Sequence, residues 1–126
     1  MSMLADAEVT AMIPVKDMKA AETFYSETLG LHKVDENMGG IAYKCGDGKV
    51  FVYQTPEAGT AKSTAATWEV SNIGAVAEEL SAKGLKFEHY DFPGATHEGD
   101  VHVMGNMKAA WFRDPDNNIL GLSEEG

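Results

Sequence analysis

Residues 111 to 122 have the sequence Trp111-Phe112-Arg113-Asp114-Pro115-Asp116-Asn117-Asn118-Ile119-Leu120-Gly121-Leu122. Two apolar runs flank a short polar stretch. Pro115 fixes φ at the second position of a turn, the Asp114 side chain can accept a hydrogen bond from nearby backbone, and asparagine tolerates a left-handed conformation. The stretch therefore predicts a β-hairpin between two buried strands.

The first half of the chain predicts a strand, a helix and three further strands. Residues 9–15 form the first apolar run, and Asp17 follows as a candidate N-cap. Apolar residues then recur every three or four positions until Gly30, as expected for an amphipathic helix. Strands are predicted at 31–34, 41–45 and 50–54, with the Asp47-Gly48 pair as a hairpin turn.

The second half repeats this order. Residues 55–64 are small, polar and rich in turn formers, which indicates a linker between module one (8–54) and module two (65–124). A strand at 65–70, a helix from Asn72 to Gly84 and a strand at 85–90 follow. Residues 91–106 are interpreted as an irregular polar lid that borders the ligand site and shifts on binding.

Matching offsets support an internal repeat. Asp17 and Asn72 precede the two helices, and Asp47 and Asp116 hold equivalent places in the two closing hairpins. A tandem strand-helix-three-strand unit seldom arises by accident. The sequence therefore predicts two related modules.

Composition limits the possible partners. The chain has 126 residues, a formal net charge of −10 and one cysteine, Cys45. An acidic surface repels nucleic acid and anionic membranes, and a single cysteine excludes an internal disulfide framework. No transmembrane or secretory segment is predicted, and a cytoplasmic location is expected.

The closing hairpin, together with Pro14-Val15-Lys16-Asp17, Phe24-Tyr25 and Leu29-Gly30-Leu31, resembles the vicinal oxygen chelate superfamily of glyoxalase, bleomycin-resistance and extradiol-dioxygenase proteins. Asn117 stands where glycine is usual. The resemblance implies a single α+β domain in which two βαβββ modules form curved mixed sheets around a cavity, with the helices outside. It also implies a homodimer.

Metal-dependent members of this superfamily place four ligands, usually His, Glu or Gln, on the first and last strands of each module. The resemblance places these positions at Thr10, Val52, Ala65 and Gly121. One hydroxyl among three side chains without a donor atom does not retain a divalent ion. We therefore expect no metal and no cofactor.

Alternation along the predicted strands suggests which residues line the cavity. If the four family positions face inward, Met12, Val50, Thr67 and Glu69 share their side, while Phe51 and Tyr53 pack under the helices. Trp111, Phe112, Tyr43 and Tyr90 could form an aromatic wall, although each of these rings, taken singly, is core by default. The candidate ligand-binding residues are Thr10, Met12, Val52, Thr67, Glu69, Tyr90, His102, Trp111 and Gly121.

Three functions remain open. The first is a metal-free protein that binds a hydrophobic or planar small molecule. The second is a glyoxalase-like lyase or dioxygenase with a non-standard metal site, for which Glu69, His89 and the segment 97–102 are the best ligands, since Glu98, Asp100 and His102 would point the same way in an extended chain. The third is a non-catalytic interaction or regulatory module.

Overall fold

Two sheets, each with its own helix, account for the regular structure of the chain. The computed structural model describes residues 3–5, 7–37 and 39–125, and it divides into unit 1 (Met1–Thr60) and unit 2 (Ala61–Gly126). The mixed sheets and few helices confirm the α+β class. Within the described ranges no helix is long and apolar enough to cross a membrane.

Unit 1 has the predicted strand-helix-three-strand order. Its elements are β1 (Thr10–Val15), α1 (Met18–Thr23) with a π-helical turn (Phe24–Thr28), β2 (His32–Asn37), β3 (Gly40–Cys45) and β4 (Gly48–Gln54). The strands lie in the order β1-β4-β3-β2, with β1 parallel to β4. Asp17 caps α1 by accepting a hydrogen bond of 3.0 Å from the Ala20 amide, as its position before the helix predicted.

The register of β4 corrects one prediction. Val52 pairs with Ile13 in the parallel ladder, and Phe51 pairs with Met12. Paired residues share a face, so Val52 lies beside buried Ile13 and not beside Thr10. The prediction that Val50 and Val52 face the same side as Thr10 is wrong. Both faces of β4 are apolar, and alternation therefore could not orient the strand.

Unit 2 extends the same plan. Its elements are β5 (Thr64–Glu69), α2 (Ile73–Ala82), β6 (Phe87–Glu88), β7 (Thr96–Glu98), β8 (Val101–Met104), β9 (Met107–Arg113) and β10 (Ile119–Glu125). The strands lie in the order β5-β10-β9-β8-β7, and β6 pairs with β9. The prediction that 91–106 is irregular throughout is wrong, because β7 and β8 form a hairpin there and Val101 and His102 are buried.

The β9–β10 hairpin forms where residues 111–122 predicted it, and Asp114 organises its turn. One carboxylate oxygen accepts from the Asp116 and Asn118 amides at 2.9 and 2.8 Å, and the other accepts from the Asn118 side chain at 2.8 Å. Asn117 adopts φ +70°, the left-handed conformation for which glycine is usual. The turn fixes the register in which Gly121 pairs with Trp111.

The two faces of the unit 2 sheet carry different residues. The helix face packs against α2 and contains Phe112, Leu120 and Leu122, all at most 4% exposed. On the same face Glu124 accepts a hydrogen bond of 2.7 Å from the first helical amide, that of Ile73. The opposite face contains Trp111 and Gly121, the alternate residues of β9 and β10, and is called the Trp111 face below.

Candidate functional site

Three strands place Thr67, Gly121 and Trp111 in one row across the Trp111 face. Gly121 pairs with Thr67 on one side and with Trp111 on the other. A Cβ atom at Gly121 would lie 3.2 Å from the Thr67 hydroxyl and 3.3 Å from Cδ1 of Trp111. The indole therefore occupies the space beside residue 121, and glycine is the residue that leaves room for it.

Three further rings surround the Trp111 indole. The ring centroids of His102, Tyr90 and Phe92 lie 4.9, 5.4 and 5.6 Å from it. Phe92 is 41% exposed, although it belongs to the same cluster. The indole nitrogen of Trp111 makes no hydrogen bond to the part of the chain that the structure describes. The site thus combines an aromatic surface with a free donor.

Histidines form the other half of this cluster. His102 is fully buried, and its Nε2 accepts a hydrogen bond of 2.9 Å from the Tyr90 amide. Burial lowers the pKa of His102, and the His97 ring, 4.5 Å away between centroids, lowers it further. His89 stacks on His97 and contacts Asp100 through a 2.8 Å hydrogen bond.

The charged side chains on this face include the carboxylate of Glu69 and the ion pair between Arg113 and Glu88. Arg113, at the end of β9, donates a hydrogen bond of 2.9 Å to Glu88. The Glu88 carboxylate raises the pKa of the guanidinium, and Tyr90 raises it further. Glu69 is exposed on β5, and among the described residues no cation pairs with it. The carboxylate of Glu69 therefore lies on the same sheet face as the aromatic cluster.

The four family metal positions do not fit a metal. Thr10 and Ala65 are exposed, Gly121 has no side chain, and Val52 lies on the helix side of its sheet. Phe51 of β4 shares a face of the sheet with Thr10 and Met12 of β1, and its side chain has no donor atom either. Divalent sites need several nitrogen, sulfur or carboxylate donors, and these positions supply none.

The structure brings His97 and His102 together, but it does not align Glu98 and Asp100 with them. Gly99, with φ +64°, turns the chain between Glu98 and Asp100, so the extended conformation assumed for these residues is wrong. Asp100 binds His89, whereas Glu98 lies 3.9 Å from Lys108. In the described ranges no three His, Cys, Asp or Glu side chains converge as a metal site would require.

Six of the nine candidate residues belong to unit 2 and meet on or against the Trp111 face. They are Thr67, Glu69, Tyr90, His102, Trp111 and Gly121. Thr10 and Met12 share a face of the unit 1 sheet, and Val52 lies on the opposite face. Phe112 and Tyr43, for which core was the default interpretation and a wall position the alternative, are fully buried core on the helix sides of their sheets.

Sequence reasoning missed Phe92 and the contact between His97 and His102. Phe92 is an aromatic residue just before Pro93 and Gly94 in a polar connection, a place where an apolar side chain has no packing role in the predicted elements. His97 and His102 are five positions apart, and only the unpredicted β7–β8 hairpin pairs them.

A concavity lies on the helix side of unit 2. It has a volume of about 450 Å³ and is lined by α2 and the β7–β8 turn, including Glu78, Glu98 and Asp100. Among the residues that the structure describes, no aromatic side chain lines it. Of the residues predicted from the sequence as ligands, only those of segment 97–102 line it. The Trp111 face therefore remains the better candidate site.

Comparison with known proteins agrees with this architecture. A glyoxalase family protein from Enterococcus faecalis superimposes with a TM-score of 0.73 at 21% identity, over 97% of this chain and 100% of that one. Lactoylglutathione lyase from Agrobacterium tumefaciens gives a TM-score of 0.70 at 21% identity, over 94% and 93%. TnmS3, an antibiotic binding protein from Streptomyces sp. CB03234, gives a TM-score of 0.71 at 20% identity, over 99% and 100%.

These structural likenesses show a shared fold. The sequence itself also matches the profile of a superfamily over residues 9–122, which is most of its length. The chain therefore belongs to the glyoxalase/bleomycin resistance protein/dioxygenase superfamily.

Proposed function

We propose that this protein binds a planar, hydrophobic small molecule on the Trp111 face of unit 2, without a metal ion. The observation that carries the proposal is the ring cluster around Trp111, in which three other rings border an indole whose N–H makes no hydrogen bond to the described residues. Aromatic side chains supply large contact areas to flat ligands, and a free donor fixes their orientation.

The polar groups on this face favour a ligand with a positive charge. Glu69 and Thr67 lie on β5 with their side chains on the Trp111 face, and neither makes a side-chain hydrogen bond or ion pair within the described residues. Arg113 is neutralised by Glu88. A cation that stacks on Trp111 gains from the ring face and from the Glu69 carboxylate together.

A metal-dependent lyase or dioxygenase is the other candidate, and the fold similarity to lactoylglutathione lyase is what supports it. Such chemistry requires donors that hold an ion and leave an open position for substrate. Thr10, Val52, Ala65 and Gly121 do not supply them. The antibiotic binding protein among the structural neighbours supports the binding proposal instead.

The proposal includes a cytoplasmic homodimer, as the superfamily resemblance implies. Light scattering coupled to size exclusion should give about twice the 13.6 kDa chain mass at micromolar concentration. A mass of one chain at that concentration contradicts the dimer, while leaving the ligand site of unit 2 untouched.

The two tryptophans permit a direct test of the site. Trp111 lies in the candidate site, whereas Trp68 stacks on Phe112 on the helix face, with ring centroids 6.5 Å apart. Proflavine, a planar aromatic cation, should quench the emission of Trp68→Phe protein, in which Trp111 is the remaining tryptophan. Trp111→Ala should weaken proflavine binding by roughly thirtyfold, which corresponds to about 2 kcal/mol for an anchoring aromatic.

Glu69→Gln separates the charge contribution from stacking. It should weaken the binding of proflavine and leave the binding of anthracene-2-sulfonate, a planar anion, unchanged or stronger. Trp68→Phe serves as the control and should bind both probes as the unsubstituted chain does. Equal proflavine affinity in Trp111→Ala and Trp68→Phe proteins, or no binding of either probe below millimolar concentration, contradicts the proposed site.

A further inference from the structure

Two histidines hold both backbone polar groups of Tyr90. The Tyr90 amide donates to Nε2 of His102 over 2.9 Å, and Nε2 of His97 contacts the Tyr90 carbonyl oxygen over 3.2 Å. Tyr90 lies outside the strands, in the segment 89–95 that connects β6 to β7. Imidazole rings, and not a β-ladder, therefore attach this segment to the sheet.

Each of these contacts requires a particular protonation state. A carbonyl oxygen accepts but never donates, so His97 must carry a proton on Nε2. An amide N–H donates but never accepts, so His102 must have a bare Nε2 and hold its proton on Nδ1. That Nδ1 atom is buried and makes no hydrogen bond to the described residues. The contact at Tyr90 therefore fixes the neutral state of His102.

The surroundings of His102 oppose a second proton. Its neighbours include His97 from β7 at 4.5 Å and His89 from the connecting segment at 6.0 Å between ring centroids. Tyr90 and Phe92 pack against it from the same segment, and β9 presents Ala109 and Trp111, which do not titrate. Asp100, the nearest carboxylate in the cluster, is hydrogen-bonded to His89. Among the described residues no carboxylate forms a hydrogen bond or an ion pair with His102.

We propose that His97 and His102 form a proton-sensitive latch, which holds segment 89–95 against Trp111 at neutral pH and releases it when His102 takes up a proton. If Nε2 of His102 carried a proton, that proton would point at the proton of the Tyr90 amide. Two donors cannot form a hydrogen bond with each other, so this contact would break. Tyr90 and Phe92 both touch the Trp111 ring. Their release uncovers the indole.

The direction of the pH effect follows from the pKa of His102. Burial, and then His97, lower this pKa in the closed state, although the backbone contacts of His102 with Ala109 and Tyr90 act in the opposite direction. In the open state the ring is solvated and its pKa returns to about 6.5. Above that value His102 is neutral in both states and the latch is closed. Below about pH 6.5 the open state binds a proton more tightly than the closed state does. The closed state is therefore lost as the pH falls towards the lowered pKa of His102.

The latch is tested without any ligand, so its outcome is independent of the proposed binding function. Amide exchange measured by NMR should show that the protection factor of Tyr90 falls by up to about tenfold per pH unit below about pH 6.5, as expected for the uptake of one proton. The ring nitrogen shifts of His102 should report the tautomer protonated on Nδ1 at pH 7.5. In Trp68→Phe protein, acrylamide should reach Trp111 more readily at pH 5 than at pH 7.5.

Two substitutions and one control decide the result. His102→Gln keeps an acceptor for Tyr90 and cannot be protonated, so the pH dependence should disappear. His97→Gln removes a group that lowers the His102 pKa in the closed state, so the pH response of Tyr90 protection should shift to a smaller amplitude. His32→Gln alters an exposed histidine of β2 in unit 1 and should change nothing. A Tyr90 protection factor that is constant from pH 7.5 to 5, or a pH response that survives His102→Gln, overturns the latch. If His102→Gln does not fold, the His97→Gln shift and the His102 ring signals decide.

Discussion

The two faces of the unit 2 sheet both carry a tryptophan, and the difference between them is the main lesson of this structure. On the helix face, Trp68 and Phe87 pack against Phe112, which is fully buried. On the opposite face, Trp111 is half-buried among Tyr90, Phe92 and His102. One face is hydrophobic core, whereas the other combines rings with unpaired polar groups, as ligand sites do.

The largest expected difference between the faces is in stability. Phe112→Ala should lower the free energy of unfolding by about 3–5 kcal/mol, because it leaves a cavity under α2. Trp111→Ala should lower it by less, since the indole is partly exposed whereas Phe112 is fully buried. Urea denaturation followed by circular dichroism measures both values. Similar losses in the two variants would show that the Trp111 face is ordinary core.

The second prediction concerns the turn that assigns residues to faces. Asp114→Ala removes the acceptor for two amides and one side chain, and should cost about 2–3 kcal/mol. A slip of one residue in β10 would exchange the two faces, so the turn also protects the site.

Asp47→Ala is the control for this turn, because Asp47 is an exposed residue in the β3–β4 hairpin of unit 1. It should change the free energy of unfolding by no more than about 0.5 kcal/mol. Equal losses in Asp114→Ala and Asp47→Ala would refute the special role of Asp114.

A smaller effect is expected at Gly121. Gly121→Ala brings a Cβ within 3.3 Å of the indole and should displace Trp111. The stability change should stay within about 1 kcal/mol, because the reduced freedom of the unfolded chain offsets the crowding. In Trp68→Phe protein the emission maximum of Trp111 should shift. Ser123→Ala, two residues further along β10, should leave the emission unchanged, and a shift of equal size there would contradict the interpretation.

The smallest effect should come from metal ions. Zinc, nickel, iron or manganese should not raise the melting temperature by more than about 1 °C, because an ion stabilises the folded state only by binding it, and the family positions supply no set of donors. Elemental analysis of the purified protein should find no stoichiometric metal. A clear stabilisation that Glu69→Gln or His97→Gln abolishes would support the alternative enzyme.

Much of the fold could be predicted from local chemistry. The closing hairpin follows from the turn residues around Pro115, and both helices begin after side chains, Asp17 and Asn72, that cap them in the structure. The offsets between the two halves indicated the repeat. These features depend on residues close together in sequence, and for that reason single-sequence patterns show them.

Other features depend on contacts that local patterns do not record. β4 reads Val50-Phe51-Val52-Tyr53, which is apolar on both faces, so its orientation depends on pairing with Ile13. β7 and β8 are only three and four residues long and lie in a stretch interrupted by glycine, so single-sequence patterns do not show them. The site was predicted in part, because Trp111, Gly121 and Thr67 lie on strands, whereas Phe92 reaches it from an irregular segment.

The contact between Gly121 and Trp111 also restricts how this chain can evolve. A glutamate introduced first at position 121 would meet the indole, and loss of the indole alone would leave a gap without creating a metal ligand. Neither single substitution improves either kind of site. The two positions are therefore coupled, and a longer side chain at position 121 requires the Trp111 ring to move.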